Sequence, residues 1–283
     1  MKRLATLLVL LFAVALAAEK PLAVATIEPY ASLARAVLGE GWRVESLVPA
    51  GANPHVFNPT PADVKEVAAA KLVIMNGLGL DGWMVDKLVR PNNLSAKVYR
   101  VEDSVHDLVL PLPSGAPDPH VWTDPVAMTF AVCDLARAAG EVDPDHADDY
   151  LARALAYKLG LFDLVQRTTE RLAQAPTRRF VAYKNPFTYL AARYDLERVY
   201  LITPNPSAEP TPRELAEAAK VLKAQGLRYL VAPLQTAGEA QRVAQMLGVE
   251  AVFIDLLDET NPDYLQVWDA NGRALARALG LEE

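Results

Sequence analysis

The chain of 283 residues is long for one domain and comfortable for two, and its hydrophobic content of 52% is ample for a core. A formal net charge of −7, with no basic run beyond the extreme N-terminus, excludes nucleic acid as an expected partner. The single cysteine, Cys133, cannot form an internal disulfide and is best interpreted as a small core residue.

The N-terminal segment 1–18 has the pattern of a secretory signal peptide. Lys2 and Arg3 precede the apolar run Leu4–Ala18, which ends in the cleavage-site pattern Ala15-Leu16-Ala17. This run is too short for a comfortable membrane span. Since the predicted cleavage site has no cysteine, we do not expect a lipid anchor there. We therefore expect a soluble protein after signal cleavage, located in the periplasm or cell envelope.

Short apolar runs alternate with amphipathic helical patterns along the rest of the chain, which indicates parallel sheets covered by helices on both faces. The predicted strands are Leu22–Ile27, Val44–Val48, Leu72–Met75, Lys97–Val101, Phe180–Tyr183, Val199–Ile202, Tyr229–Ala232 and Val252–Asp255. Thr60-Pro61-Ala62-Asp63 and Thr211-Pro212-Arg213-Glu214 both have the capping-box pattern of a helix start.

The middle of the chain predicts one long helix. From Asp145 to Ala173 there is no proline and a single glycine, and Asp143-Pro144 supplies a start signal. We therefore predict an α/β protein of two lobes, each with a parallel sheet flanked by helices, joined by this helix. The expected boundaries are a signal peptide at 1–18, lobes at 19–143 and 176–283, and a linking helix at 144–175.

Two stretches share an unusual local pattern. Asn53-Pro54-His55-Val56-Phe57 and Asp118-Pro119-His120-Val121-Trp122 each combine an Asn or Asp, a proline, a histidine and an aromatic residue, and they hold two of the four histidines. Proline fixes its own φ and keeps the preceding residue extended, so both segments are stiff loops. A stiff loop can hold an imidazole, the commonest side-chain ligand of transition metals, in one place. We predict that the two loops face each other across one site.

One predicted strand ends in a carboxylate, Asp255. Ligands of open α/β sheets bind at the carboxyl ends of the strands, so Asp255 could supply an oxygen from the second lobe. An aspartate that caps a helix or its own loop is an equally good interpretation of the residue alone.

The whole chain after the signal segment resembles the periplasmic zinc- and manganese-type solute-binding proteins of ABC importers that have a rigid linking helix. The two histidine loops are the specific part of this resemblance. Further matching segments are Pro59-Thr60-Pro61-Ala62-Asp63-Val64, Asn76-Gly77-Leu78-Gly79-Leu80 with Trp83, Pro186-Phe187-Thr188-Tyr189-Leu190-Ala191 through Tyr194, Ala208-Glu209-Pro210-Thr211-Pro212, and Asn261-Pro262-Asp263-Tyr264.

The resemblance implies a metal between the two lobes, with His55 and His120 as the first two ligands and Asp255 as the last. The third position of the family carries His or Glu, but here Lys184 stands in that place. An ammonium group has no acceptor, and at about 4 Å from a dication its repulsion would be on the order of 8 kcal/mol.

Three arrangements of the third position stay open. Lys184 can swing out and leave His55, His120, Asp255 and a water or Asn185 around the metal. It can pair with Asp255 in a site that takes no metal or takes an anionic solute. Alternatively, the alignment is shifted, so that Tyr183 or Asn185 faces the site. Glu209 could also reach the site from the second lobe.

The expected function is capture of a divalent transition metal, Zn²⁺ or Mn²⁺, for the membrane permease of an ABC importer, by a monomeric protein that is not an enzyme. One alternative is a degenerate relative that binds another solute or a protein partner without metal. Another is a zinc-dependent hydrolase with Lys184 as electrophile or base and Glu209 or Asp124 as acid or base. His106 and His146 are interpreted as exposed residues outside the site.

Overall fold

The computed structural model describes residues 19–204 and 208–282, and within them the strands form two sheets of four parallel strands each. The predicted signal peptide lies outside the described residues. The strands are β1 Leu22–Ala25, β2 Arg43–Ser46, β3 Leu72–Met75, β4 Lys97–Arg100, β5 Arg179–Ala182, β6 Glu197–Leu201, β7 Tyr229–Pro233 and β8 Glu250–Ile254. Their order is β2-β1-β3-β4 in the first sheet and β6-β5-β7-β8 in the second. The eight predicted strands are thereby confirmed.

Helices cover both sheets and connect them. They are α1 Glu28–Leu38, α2 Pro61–Ala69, α3 Arg90–Asn92, α4 Val101–Val105, α5 Pro125–Val142, α6 Ala147–Ala173, α7 Thr188–Arg193, α8 Pro212–Gln225, α9 Ala237–Leu247 and α10 Tyr264–Ala278. A π-helical turn, Met84–Val89, runs directly into α3. In the described part of the chain no helix has both the length and the apolar character that a membrane span requires.

Side-chain caps fix where two of these helices begin. The hydroxyl of Thr60 accepts from the backbone N–H of Asp63, and the carboxylate of Asp63 accepts from the backbone N–H of Thr60. Thr211 and Glu214 repeat the same reciprocal bonds at α8. Both predicted capping boxes are confirmed, and each satisfies N–H groups that the first helical turn cannot bond internally.

Helix α6 is the predicted linking helix, with 27 residues and a length of about 40 Å. It packs on α1 and α5 of the first lobe and on α10 of the second. On the first lobe, Trp42 Nε1 donates to the Tyr150 hydroxyl at 2.8 Å. On the second, α10 approaches so closely that a Cβ at Gly272 would lie 2.9 Å from Thr168 Oγ1. The helix is therefore bound tightly to both lobes, and the buried hydrophobic core runs continuously through them.

One carboxyl group in this core, that of Asp258, is buried without a hydrogen-bond partner among the described residues. Asp258 is 3% exposed, has a left-handed φ of 51°, and neither of its oxygens hydrogen bonds to any described residue. Loss of hydration, together with the nearby Asp255 and Glu28 charges, raises the pKa of Asp258 well above its ordinary value. The native protein therefore keeps this proton at a pH where the unfolded chain has lost it.

We expect Asp258→Asn to stabilise the protein, because the neutral amide has the same shape and tolerates the same backbone conformation. The gain in stability over wild type should be absent at a pH below the pKa of an aspartate in the unfolded chain. It should grow as the pH rises above that value, because ionisation of Asp258 in the unfolded chain then favours unfolding of the wild type. Thermal unfolding at pH 7 should shift upward by about 2–4 °C, which about 1 kcal/mol produces in a chain of this size. Asp145→Asn, at an exposed acid, is the control and should change little; a lower melting temperature for Asp258→Asn would contradict the interpretation.

Candidate metal centre

The two histidine loops meet at the carboxyl end of the first sheet. His55 lies in the 3-10 turn Pro54–Val56 between β2 and α2, and His120 immediately precedes the turn Val121–Thr123 that leads into α5. Their Nε2 atoms are 3.1 Å apart, and their ring centroids are 5.1 Å apart. The structure thus brings together the two side chains that the repeated pattern singled out.

The repeated pattern positions each histidine by the same local bond. The Asn53 Oδ1 accepts from the backbone N–H of His55 at 2.9 Å, and the Asp118 Oδ1 accepts from the backbone N–H of His120 at 3.0 Å. These are Asx turns, closed across a proline that already restricts the chain. The two similar sequences therefore fold into similar loops. In each loop the hydrogen bond fixes the backbone of the histidine two residues after the Asn or Asp.

Asp118 performs a second task that Asn53 does not. Its Oδ1 is also 2.6 Å from His120 Nδ1, inside a fully buried environment. Burial alone would raise the pKa of the Asp118 carboxyl, but the hydrogen bonds and charge of His120 hold that pKa below its usual value. The carboxylate therefore accepts the Nδ1 proton, which leaves the lone pair of His120 Nε2 directed at His55.

His55 is kept neutral by its surroundings. Loss of hydration, followed by the approach of His120, lowers the pKa of His55 to about 4. At neutral pH its Nε2–H can then donate across the 3.1 Å gap to His120. Two imidazoles bound to one tetrahedral Zn²⁺ at ordinary bond lengths have nitrogens about 3.3 Å apart. The two Nε2 atoms are therefore within a few tenths of an ångström of the separation that they would have if a metal ion took the place of the proton between them.

Asp255 lies at the end of β8, as predicted, but its oxygens are engaged within its own loop. They accept from the backbone N–H groups of Leu257, Glu259 and Thr260 at 3.2, 3.1 and 2.8 Å, and from the Thr260 hydroxyl at 2.7 Å. In residues 19–204 and 208–282, no group of three or more His, Cys, Asp and Glu side chains is close enough to hold a metal ion. The structure thus shows a histidine pair, and the role of Asp255 as a ligand stays a prediction.

Lys184, at the third-ligand position, points toward α9. Its Nζ lies 3.1 Å from Glu239 Oε2 and 5.3 Å from the centre of the Tyr183 ring, and its side chain is 13% exposed. The Tyr183 hydroxyl donates to the same Glu239 oxygen at 3.1 Å. Loss of hydration and the Glu239 charge both raise the pKa of Tyr183, so the phenol stays protonated. This arrangement gives the ammonium group a carboxylate partner on α9.

The remaining candidates from the sequence have other contacts. The Asn185 side chain accepts from the Arg198 guanidinium, and Glu209 is exposed. Asp124 caps α5 and forms a two-bond ion pair with Arg193, at 2.8 and 2.7 Å. This ion pair occupies both oxygens of one of the two residues, Asp124 and Glu209, that the hydrolase alternative offered as acid or base.

His106 and His146 are exposed, as predicted. The His106 side chain is 73% exposed beside Asp107, and the His146 side chain is 61% exposed beside Asp143. Neither imidazole belongs to the histidine pair.

Several side chains that sequence reasoning did not assign to the site hold the His120 loop from the second lobe. The Tyr189 hydroxyl donates to the carbonyl of Asp118, and the Tyr264 hydroxyl donates to the carbonyl of Trp122, both at 2.7 Å. Trp122 Nε1 donates to the carbonyl of Leu256, also at 2.7 Å. Buried tyrosine hydroxyls and tryptophan N–H groups usually find such partners, and this tendency is the sequence signal for these contacts. These bonds fix the position of the loop relative to the second lobe.

Comparison with known proteins gives one consistent result. Residues 23–278 match the family described as ZnuA, the periplasmic component A of a zinc-uptake complex. Zinc-binding protein AdcA of Streptococcus pyogenes is 24% identical over 86% of this chain and 52% of its own length, so the chain spans about half of that relative. Manganese-binding lipoprotein MntA of Halalkalibacterium halodurans is 30% identical over 66% of this chain and 62% of its own. A crystal structure of ZnuA superposes with a TM-score of 0.83 at 24% identity, covering 93% of this chain and 100% of that one.

Proposed function

Because the chain belongs to the family of the periplasmic zinc-uptake component ZnuA, we propose that it captures a divalent transition metal, zinc or manganese, for an ABC importer. The family consists of solute-binding proteins of metal transporters, not enzymes, so capture and release are the whole of the chemistry. The observation that supports this most directly is the pair of imidazoles with Nε2 atoms 3.1 Å apart, one oriented by a buried carboxylate.

The proposed ligands are His55, His120 and, from the second lobe, Asp255. Two imidazoles and a carboxylate suit tetrahedral Zn²⁺, and with further oxygens they suit Mn²⁺. Asp255 would exchange the backbone amides of its loop for the metal. Lys184 would stay outside the coordination sphere, held by Glu239. A water or Asn185 would fill the remaining position, with Tyr183 and Glu209 as further candidates.

The setting of this activity follows from the same interpretation. We propose that residues 1–18 are removed as a signal peptide and that the lobes 19–143 and 176–283 work outside the cytoplasmic membrane. The partner is the membrane permease of the importer. One copy of the chain supplies every proposed ligand, so a monomer is sufficient for capture.

Calorimetric titration of the metal-stripped protein with Zn²⁺ and Mn²⁺ tests the proposal, with Lys184→Met and Lys184→His beside the wild type. We expect one tight site in the wild type and an affinity within about threefold in Lys184→Met, because Glu239 holds the ammonium toward α9. Lys184→His should bind roughly 10–100-fold more tightly, because it adds an imidazole at the third position. A silent wild type beside a binding Lys184→His would mean that lysine blocks the site, and metal capture by the natural chain would be rejected.

A further inference from the structure

The loop that follows β8 holds one oxygen of Asp255 more firmly than the other. Oδ2 accepts from the Thr260 hydroxyl at 2.7 Å and from the Thr260 backbone N–H at 2.8 Å. Oδ1 accepts from the backbone N–H groups of Leu257 and Glu259 at 3.2 and 3.1 Å. Because N–H···O bonds are usually about 2.9–3.0 Å long, both bonds to Oδ1 are longer than usual. Oδ1 is therefore the oxygen that exchanges its partners at the lower cost.

The backbone of Asp255 is also fixed, by a buried side chain of α10. Asn271 Oδ1 accepts from the backbone N–H of Asp255 at 2.9 Å, and Asn271 Nδ2 donates to the Asp255 carbonyl at 2.7 Å. A single amide thus satisfies both main-chain groups of a buried residue that lies just past the end of its strand. The main chain of Asp255 is thereby held in one place.

A reversal of the chain brings Thr260 back to the Asp255 carboxylate. Asp258 has a left-handed φ of 51°, a conformation that aspartate adopts more readily than most residues do. The segment that returns after Asp258 is anchored as well, because Glu259 Oε1 accepts from Gln235 Nε2 at 2.8 Å, in the turn after β7. The Thr260 hydroxyl therefore reaches Oδ2 from a segment with a defined position.

The same loop is bonded directly to the loop of His120. The carbonyl of Leu256, the residue after Asp255, accepts from Trp122 Nε1 at 2.7 Å, and Trp122 lies two residues after His120. The position of Asp255 relative to His120 is therefore set by this bond together with the two bonds to Asn271. A carboxylate placed in this way needs only its free rotation restricted to become a well-defined ligand.

We propose that Thr260 is a positioning residue for metal capture: it holds Oδ2 of Asp255, so that Oδ1 exchanges its two long amide bonds for the metal ion. The inference rests on the proposed function, in which Asp255 is a ligand. Thr260 then has the role for Asp255 that Asp118 has for His120, whose Nδ1 it holds at 2.6 Å. Hydrogen bonds of this kind orient a ligand and thereby raise metal affinity.

Calorimetric titration of metal-stripped Thr260→Val with Zn²⁺ tests the proposal. We expect the affinity to fall about tenfold, because valine keeps the shape of the side chain but leaves only the backbone N–H to hold Oδ2. Thr260→Ser retains the hydroxyl and should bind within about threefold of wild type. Thr169→Val is the matched control and should leave the affinity unchanged, since Thr169 is also exposed and its hydroxyl donates to the Val165 carbonyl within α6.

A double-mutant cycle separates positioning of Asp255 from a general effect on the fold. In an Asp255→Ala background, Thr260→Val should change Zn²⁺ affinity no further, because Thr260 acts only through that carboxylate. Unchanged or tighter binding by Thr260→Val, or a loss that persists in the Asp255→Ala background, would overturn the positioning role alone. A wild type that takes no Zn²⁺, or an Asp255→Ala variant that binds like the wild type, would reject the inference together with the proposed ligand set.

Discussion

Replacing His120 with alanine is expected to weaken Zn²⁺ binding by about 1,000-fold or more, which is the loss of one of two pre-positioned imidazoles from a small ligand set. The size of the effect follows from the geometry of the pair. With Nε2 atoms 3.1 Å apart and the His120 loop fixed by hydrogen bonds, little rearrangement is needed for both nitrogens to bind one ion. An alanine leaves His55 with no imidazole partner, and no other described histidine lies in the site.

Two further variants make this prediction specific. His106→Ala removes an exposed histidine beside Asp107 and should leave the titration unchanged. Asp118→Asn should weaken binding by about 10–100-fold, the usual cost of removing a carboxylate that orients a histidine ligand. The loss arises because an amide oxygen holds the Nδ1 proton of His120 less strongly than the carboxylate at 2.6 Å does. Unchanged Zn²⁺ binding in His120→Ala would exclude the histidine pair as the metal site.

The parts of this site that could be predicted are those fixed by local chemistry. An Asn or Asp followed by proline and histidine closes an Asx turn by itself, so the repeat at His55 and His120 was sufficient to predict two similar rigid loops. Strand positions were predictable for a related reason, because a strand buried on both faces must be apolar along its whole length. The capping boxes at Thr60 and Thr211 also depend only on residues within one turn.

The parts that could not be predicted depend on contacts between distant segments. One partner of Lys184 is Glu239, 55 residues away, and nothing in the local sequence of either residue selects the other. Asp255 has the right position for a ligand, yet the fold of the following loop gives its oxygens four other donors. Arg193 reaches Asp124 only because the second lobe is placed against the first. The chemical type of these residues indicated what they could bind, but their actual partners could be identified only from the tertiary structure.

Trp122 carries the second large expected effect, this time on stability. It is 2% exposed, packs edge-on against Tyr30 with ring centres 6.4 Å apart, and joins the two lobes through its bond to the carbonyl of Leu256. We expect Trp122→Ala to lower the free energy of unfolding by about 3–5 kcal/mol, because it leaves a cavity where the lobes meet. Urea denaturation followed by circular dichroism measures this loss. Zinc affinity should fall as well, since His120 is two residues away.

A pair of phenylalanine variants separates the packing of Trp122 from its hydrogen bond. Trp122→Phe keeps an aromatic ring but leaves the Leu256 carbonyl unpaired, which costs about 1–3 kcal/mol. Trp83→Phe is the matched control, because Trp83 Nε1 is buried without a hydrogen-bond partner among the described residues and nothing is lost with it. If both variants lose the same stability, the bond to Leu256 contributes nothing and Trp122 acts through ring packing alone. If only Trp122→Phe is destabilised, the indole N–H of Trp122 contributes, beside the Tyr189 and Tyr264 hydroxyls, to holding the His120 loop on the lobe that carries Asp255.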